Sequence, residues 1–211
     1  MKQFFILGAC VAYGVGSSDG GWASLLKQYL HEKMYSSNGV GEKYEVFNFA
    51  KPGATIDFVI KTFPEQFNNY GRNENSKIIV SVGGNNSKAT GKPDDYVSTL
   101  EEYENQVKKL ILMLQKYSNN IIFANNGYVD ESKTNPKINP FDGSNSYSTN
   151  SRRLLFRTKL KQICDEYGVT FADVNVSQKD WIKEYLYKDG LHPNNKGHRL
   201  IFEKIKQSLS L

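Results

Sequence analysis

The chain has few of the residues from which disulfide frameworks, metal sites and membrane spans are built. Its 211 residues include two cysteines and three histidines. Two cysteines cannot make a disulfide framework, and neither stands in a ligand-spaced pair of the kind that holds zinc. No apolar run approaches the roughly 18 residues that a membrane helix needs. We therefore expect no cofactor, no metal and no membrane partner.

Basic residues are in modest excess but follow no nucleic-acid-binding pattern. Lys and Arg total 27 against 22 Asp and Glu, which gives a net charge of +5. Lysines alternate with acids along the predicted helices, and no basic run is interleaved with aromatic residues, so a nucleic-acid partner is not expected. The positive charge could help to attract anionic substrates, but a solvated surface is the preferred explanation.

Nothing in the composition divides the chain or indicates disorder. Hydrophobic residues make up 39% and aromatic residues 13%, which is enough to build a core. We find no internal repeat, no linker and no shift in composition. The length suits one sizeable domain, so residues 1–211 are predicted to form a single domain.

Strand and helix patterns alternate along the whole chain. This alternation predicts parallel pairing with right-handed crossovers, and hence an α/β protein built as a three-layer α/β/α sandwich. Polar turns are expected at 36–39 and 68–76. The predicted strands are 4–7, 44–49, 77–82, 121–124 and 169–174, and the predicted helices are 22–34, a short helix around 58–60, 100–117, 151–167 and 195–209.

A long polar segment, residues 128–149, follows the fourth predicted strand. It is rich in Asn, Ser, Pro and Lys. Loops of this length inside compact domains are commonly lids or binding loops. Its start at the carboxyl end of a strand predicts that it lies over the sheet edge where ligands bind in α/β folds. A disordered surface insertion is the alternative.

An acid and an imidazole stand three residues apart near the C-terminus, in Asp189-Gly190-Leu191-His192. A carboxylate this close can hold the ring of His192 in one tautomer and stabilise the imidazolium that forms when the ring takes a proton. A polar turn that leads into the last helix, with Pro193 and Asn194 as start signals, explains the same residues without chemistry.

The first strand breaks at glycine and runs into Gly8-Ala9-Cys10 before a helix. The side chains that follow such a strand reach the carboxyl edge of the sheet, where ligands bind. Leu7-Gly8-Ala9-Cys10 also resembles a bacterial lipoprotein cleavage site. The apolar stretch before it barely reaches the 7–15 residues of a secretory segment, and cleavage there would remove the first strand. A cytoplasmic location is the expectation, with a lipoprotein as the alternative.

Two other reactive residue types have structural interpretations. Cys164 recurs with Phe156, Leu160 and Ile163 at helical spacing, which predicts an inert core thiol. His198, in the first turn of the last helix, is interpreted as structural.

Four segments in order resemble the conserved blocks of the SGNH (GDSL-like) hydrolases. They are Gly8-Ala9-Cys10 with its following glycines, Phe47 to Thr55, Val82-Gly83-Gly84-Asn85-Asn86, and Asp189 to His192. The resemblance implies a five-stranded, flavodoxin-like sheet. It also implies that Cys10 stands in the place of the nucleophilic serine, that His192 is the base and that Asp189 orients it. By the same resemblance, the oxyanion hole consists of the backbone N–H groups of Cys10 and Gly53 and the side chain of Asn85.

The sequence departs from the family pattern at three positions. Ala9 and Cys10 replace the usual Asp-Ser, and Asn86 replaces an Asp. Cys10 has three interpretations: a native thiol nucleophile, a Ser→Cys change that traps or weakens an acyl-enzyme, or a member that lost catalysis and kept a binding cleft. A thiolate paired with His192 can have a strongly lowered pKa.

The resemblance implies an ester hydrolase that removes a short acyl group, such as acetyl, from a small-molecule or carbohydrate alcohol through an acyl-enzyme. An acyltransferase or thioesterase that uses Cys10 is the alternative enzyme. A binding protein on this fold is the alternative without catalysis.

Overall fold

Alternating strands and helices run through the whole described chain. The computed structural model describes residues 1–36, 38, 40–72, 76–139 and 142–209. In chain order the elements are β1 (Lys2–Gly8), α1 (Cys10–Tyr13), α2 (Gly21–Tyr35), β2 (Tyr44–Asn48), α3 (Ile56–Tyr70), β3 (Ser76–Ser81), β4 (Ala89–Thr90), α4 (Leu100–Leu114), β5 (Asn120–Ala124), α5 (Glu131–Thr134), β6 (Lys137–Ile138), β7 (Asn145–Tyr147), α6 (Asn150–Glu166), β8 (Thr170–Ala172), α7 (Gln178–Asp180), a π-helical turn (Trp181–Tyr185) and α8 (Asn195–Gln207).

The central sheet has five parallel strands in the order β2-β1-β3-β5-β8. Parallel neighbours need long crossover connections, and the intervening helices supply them. Sequence order reverses at β1, because one crossover leads outward to β2 and the next returns past β1 to β3. The predicted five-stranded, flavodoxin-like α/β fold is confirmed.

Each face of the sheet is covered by a different set of helices. Successive residues of a strand point to opposite faces, and β1 shows the consequence. Phe5 and Leu7 pack in a core with residues of α3, α4 and α6, whereas Phe4 and Ile6 pack in a second core with residues of α2 and α8. The predicted three-layer arrangement follows from these two cores.

The helix that we expected around residues 58–60 is longer than predicted. It runs over 15 residues, Ile56–Tyr70, and contains Pro64. Proline removes one helical hydrogen bond, but a continuous stripe of Ile56, Val59, Phe63 and Phe67 is buried against the sheet and carries the helix through. The turn predicted at 68–76 is wrong at its start, since 68–70 are helical, and at its last residue, since Ser76 begins β3.

Parts of both predicted turns lie outside the described residues, namely 73–75 in one and Ser37 and Gly39 in the other. Helix α2, which precedes the turn predicted at 36–39, ends at Tyr35.

The polar segment 128–149 contains regular structure, and Pro140 and Phe141 lie outside its described residues. It holds α5, β6 and β7, and β7 pairs antiparallel with both β6 and β4 to give a small second sheet in the order β4-β7-β6. The disordered alternative is wrong for the described residues. The strands are two or three residues long and polar, which explains why no alternating pattern identified them.

The short helix α7 and the π-helical turn after it, which together span Gln178–Tyr185, were not indicated by the sequence and precede the Asp189–His192 loop. Trp181 is fully buried in the core between the sheet and α8. In the described part of the chain, no helix combines the length and the apolar character that a membrane crossing requires.

Candidate active site

A cleft of about 590 Å³ lies at the carboxyl edge of the sheet, where β1 and β3 end side by side. This is the point at which sequence order reverses, the usual ligand position in open α/β sheets. Cys10 follows β1, Asn85 follows β3, and His192 comes from the loop before α8; all three line the cleft. Parallel topology therefore brings together residues that are far apart in sequence.

A tight contact between two strand ends sets the position of Cys10. A Cβ atom on Gly8 would lie 2.4 Å from the carbonyl oxygen of Ser81, so only glycine permits this approach. The N–H of Ala9 donates to the same oxygen at 3.1 Å. Cys10 follows at once as the first residue of α1, and it is half-buried.

Asp189 shapes its own loop and binds the ring of His192. One carboxylate oxygen, Oδ1, accepts the backbone N–H groups of Leu191 at 3.0 Å and His192 at 3.1 Å. The other oxygen, Oδ2, lies 2.6 Å from Nδ1 of His192. Because Nδ1–H donates to the carboxylate, Nε2 is the ring nitrogen left for a thiol or a substrate.

These contacts shift the pKa values of both partners. Burial alone would raise the pKa of Asp189, but hydrogen bonds from His192 and the two backbone N–H groups hold it far below its usual range. Burial alone would lower the pKa of His192, but hydrogen bonds with Asp189 and Cys10 outweigh it, and the pKa of the imidazole is raised. The loop therefore favours an ionised carboxylate beside an imidazolium.

Neighbouring groups, His192 among them, lower the pKa of the Cys10 thiol. Burial would raise its pKa, yet hydrogen bonds from His192, the N–H of Gly53 and its own backbone N–H lower the pKa below its ordinary value. The Gly53 N–H lies 3.4 Å from Sγ. A lowered thiol pKa beside a raised imidazole pKa favours a thiolate–imidazolium pair, the form in which cysteine is a nucleophile.

Gly53 and Asn85 form one side of this arrangement. Gly53 has a φ of +82°, which favours glycine and directs its N–H at Sγ. The side-chain Nδ2 of Asn85 donates one hydrogen bond to the carbonyl of Ala54, at 2.9 Å, and so ties the two loops together. A primary amide carries two N–H donors, so the second remains available to a ligand. The structure thus brings all five predicted site residues to one place.

Three basic residues at this site, Lys88, Lys137 and Arg153, were not found by sequence reasoning. Nζ of Lys137, on β6, lies 3.0 Å from Oδ2 of Asp189 and 3.3 Å from its carbonyl oxygen. Arg153, on α6, lines the cleft together with Ser146 and Ser148 from the polar segment. The prediction that this segment lies over the edge at Cys10 is confirmed. No local motif marks these residues, because long-range packing places them.

Asn86, at a position where the family usually has an acid, is buried and has a structural role. Its Oδ1 accepts the N–H of Ile56 at 3.2 Å, and its Nδ2 donates to Ser98 Oγ at 3.1 Å and Gln106 Oε1 at 2.9 Å. A carboxylate could not make the two donor bonds. The amide therefore joins the starts of α3 and α4 to the loop after β3.

The structural interpretations of Cys164 and His198 agree with their surroundings. Cys164 is fully buried, and burial raises its pKa to about 12. His198 is also fully buried; its Nδ1 accepts the N–H of Trp22 at 3.2 Å and its Nε2 donates to the carbonyl of Val15 at 3.0 Å. Among the described residues, no group of three or more His, Cys, Asp and Glu side chains could hold a metal ion.

The fold defines an α/β protein with a three-layer, five-stranded parallel architecture, and comparison with known proteins identifies the family. The GDSL-like Lipase/Acylhydrolase family profile matches residues 6–200. The chain belongs to this family, as the resemblance of its four segments predicted. No curated protein sequence matched the chain.

Solved structures share the fold at low sequence identity. LAE5, an alpha/beta hydrolase enzyme from the metagenome of Lake Arreo, Spain, is 15% identical with a TM-score of 0.70 and coverage of 98% of this chain and 94% of that one. The lipase/acylhydrolase from Enterococcus faecalis is 16% identical, with a TM-score of 0.69 and coverage of 98% and 94%. A catalytic mutant of Axe2, an acetylxylan esterase from Geobacillus stearothermophilus, is 18% identical, with a TM-score of 0.68 and coverage of 99% and 94%.

Proposed function

We propose that this protein is a carboxylic ester hydrolase in which Cys10 is the nucleophile, His192 the general acid and base, and Asp189 the group that orients His192. The observation that carries the proposal is the geometry at the family's reactive positions: Cys10 and His192 line one cleft, Nδ1 of His192 lies 2.6 Å from Oδ2 of Asp189, and the Gly53 N–H lies 3.4 Å from Sγ. In agreement with it, the thiol pKa is lowered and the imidazole pKa is raised. A buried thiol without a catalytic partner has its pKa raised instead, as Cys164 does.

Acylation begins with attack of the Cys10 thiolate on the ester carbonyl carbon. The C–S bond forms as the carbonyl electron pair moves to oxygen, and the tetrahedral intermediate then breaks its bond to the alcohol oxygen. The departing alkoxide takes the proton from Nε2 of His192, which leaves a neutral imidazole and a thioester on Cys10. Asp189 keeps Nδ1 protonated throughout, so the ring always presents Nε2 to the reacting atoms.

Deacylation reverses these roles with water in place of the alcohol. Neutral His192 takes a proton from a water molecule as its oxygen attacks the thioester carbonyl. Collapse of the second tetrahedral intermediate expels the thiolate and releases the carboxylic acid. The thiolate–imidazolium pair is then restored, and one ester and one water have become one acid and one alcohol.

The oxyanion of both intermediates would be stabilised by donors that are already in place. The N–H groups of Gly53 and Cys10 point at Sγ, within reach of an oxygen on a carbon bonded to that sulfur. The Nδ2 group of Asn85 is held against the Ala54 carbonyl with one N–H to spare. Fixed donors of this kind supply a large share of catalysis in acyl transfer.

We propose short acyl esters of small or carbohydrate alcohols as the substrate class. Axe2 is an acetylxylan esterase of similar fold, and the lining of the cleft here includes Ser, Asn and Lys side chains that could bind hydroxyl groups. Acyl transfer is the second candidate, since Cys10 would form a thioester, which an alcohol, amine or thiol can intercept. A rise in acyl-transfer product at unchanged hydrolysis, on adding such an acceptor, would favour it.

Turnover of p-nitrophenyl acetate and butyrate by the unchanged chain, Cys10→Ser, Cys10→Ala and His192→Ala tests the proposal. We expect turnover by the unchanged chain that disappears with Cys10→Ala and falls strongly with His192→Ala. Intact mass should show an acetyl group on Cys10. Higher turnover by Cys10→Ser would mean that the site is built for a hydroxyl nucleophile. Equal rates for the unchanged chain and Cys10→Ala would rule out Cys10 as the nucleophile.

A further inference from the structure

Arg153 is a half-buried cation at the active-site cleft, and it has no partner among the residues that the structure describes. Its Nε is buried without a hydrogen-bond acceptor, and its guanidinium forms no hydrogen bond or ion pair with any residue in the described ranges. It lines the cleft that contains Cys10 and His192. One of its terminal nitrogens would lie 3.4 Å from a Cβ atom on Gly84, the neighbour of the oxyanion-hole candidate Asn85.

The two other arginines of the same helix show what a structural arginine looks like in this protein. Arg152 donates to the carbonyls of Ser87, at 2.8 Å, and Ser98, and its guanidinium lies 3.6 Å from the ring centre of Tyr96. Arg157 is paired with Asp173 at 2.5 Å. Both guanidinium groups are bound, and Arg153 alone of the three is without an acceptor.

The surroundings of Arg153 carry positive charge with no compensating carboxylate. The cleft lining includes Lys88 as a second cation and no Asp or Glu among its described residues. A second cavity, of about 530 Å³, adjoins the first at Arg153, and its described lining also lacks acids. Burial lowers the pKa of Arg153 to about 10, so the group keeps its charge at neutral pH.

A cation that is partly withdrawn from water without a counterion is destabilising, because it loses hydration without gaining a partner. A guanidinium is the side chain best suited to bind an oxyanion in two-point geometry. From this unpaired guanidinium, the second cation and the acid-free lining, we infer that the cleft recognises esters that carry an anionic group, such as a carboxylate, which Arg153 binds. That the bound anion is part of an ester rests on the proposed hydrolase function, but the anion site itself can be tested without turnover.

Anion binding is measured first, with protein that cannot turn over. Cys10→Ala protein is titrated with benzoate, and with benzamide as the neutral isostere, by NMR at low salt. Benzoate should bind more tightly than benzamide, and its affinity should fall about 10- to 100-fold with Arg153→Met. Arg199→Met removes the same charge from an exposed surface position and is the matched control, which should retain benzoate binding. Equal binding of benzoate and benzamide, or benzoate binding that survives Arg153→Met, overturns the inference.

Turnover then locates the anionic group on the substrate. For an anion on the alcohol side, 4-acetoxybenzoate, which is anionic, is compared with methyl 4-acetoxybenzoate, which is neutral. For an anion on the acyl side, mono-p-nitrophenyl adipate, which is anionic, is compared with p-nitrophenyl hexanoate, which is neutral. The anionic-to-neutral ratio of kcat/KM should fall about tenfold or more with Arg153→Met and less with Arg153→Lys. The anionic-to-neutral ratio of kcat/KM should not change with Arg199→Met. An unchanged ratio in both Arg153 variants overturns the inference.

Two further readouts separate the possibilities. Because the Arg153 charge is unpaired, Arg153→Met should unfold at the same or a higher urea concentration than the unchanged chain, whereas a structural arginine would lower that midpoint. If no ester is hydrolysed while benzoate binding depends on Arg153, the proposed hydrolase function fails and the anion site stands. If neutral esters are hydrolysed and the anionic-to-neutral ratio of kcat/KM does not change when Arg153 is replaced, the hydrolase function stands and only the anion site fails.

Discussion

Replacing Asn85 by alanine isolates the oxyanion hole from the nucleophile. The side chain of Asn85 is half-buried, and one of its N–H groups is held by the Ala54 carbonyl at 2.9 Å. The other is the proposed donor to the oxyanion. Loss of one such donor typically raises the barrier by about 2.7–4 kcal/mol, so kcat for p-nitrophenyl acetate should fall by about 100- to 1,000-fold. Since the donor acts on charge that develops in the transition state, kcat and kcat/KM should fall together with KM little changed.

The same substitution removes a structural hydrogen bond, which a second measurement must separate from catalysis. The bond to Ala54 is expected to contribute about 0.5–1.5 kcal/mol to the free energy of unfolding, measured with urea. It also positions the neighbouring Gly53, whose N–H donates to Sγ of Cys10 and helps to lower the thiol pKa. If Gly53 stays in place, the pH dependence of Cys10 alkylation by iodoacetamide will not change in Asn85→Ala.

Asn85→Asp sharpens the test because it keeps the shape and replaces the donor by an acceptor with negative charge. It should be slower than Asn85→Ala, since the carboxylate would repel the oxyanion. A loss of kcat below about tenfold in Asn85→Ala, with an unchanged alkylation profile, would refute the donor role. A large loss accompanied by alkylation that shifts to higher pH would assign the effect to movement of Gly53.

Three further predictions concern the neighbours of this site. Iodoacetamide should alkylate Cys10 at lower pH than an ordinary thiol, and His192→Ala should move the profile to higher pH because burial then opposes ionisation with less compensation; an unmoved profile would contradict the ion pair. Lys137→Met removes a cation that disfavours a second positive charge nearby, so the pKa of His192, followed by NMR titration, should rise. Lys137→Arg keeps the charge and should leave the pKa of His192 unchanged. Equal titration curves for the Met and Arg variants would exclude this effect. Asn86→Asp restores the residue that the family usually has but loses two buried donor bonds, and it should lower the urea-derived free energy of unfolding by about 1–3 kcal/mol; full stability would show that the loop repacks.

The fold was predictable because it depends on local sequence and simple topology, whereas the roles of the five proposed site residues came from the resemblance of four segments to a known family. A buried apolar run such as β1 reads as a strand wherever it packs, and alternation with helices requires parallel pairing. Parallel strands end at one edge, and this explains why Cys10 and Asn85, which follow β1 and β3, lie together there. Asp189 and His192 lie on a single turn, and their spacing alone allows the 2.6 Å contact that the structure contains.

Other features are set by contacts between residues far apart in the chain, and no local pattern marks them. The length of α3 follows from burial of its apolar stripe against the sheet, which outweighs the interruption at Pro64. The short strands β4, β6 and β7, of two or three residues each, form only because β7 lies between β4 and β6 and pairs with both. Lys137 and Arg153 look like ordinary charges of a polar segment and a helix in the sequence. Tertiary packing alone places Lys137 against Asp189 and leaves Arg153 half-buried at the cleft with its Nε unpaired, because burial and charge pairing are properties of the folded chain.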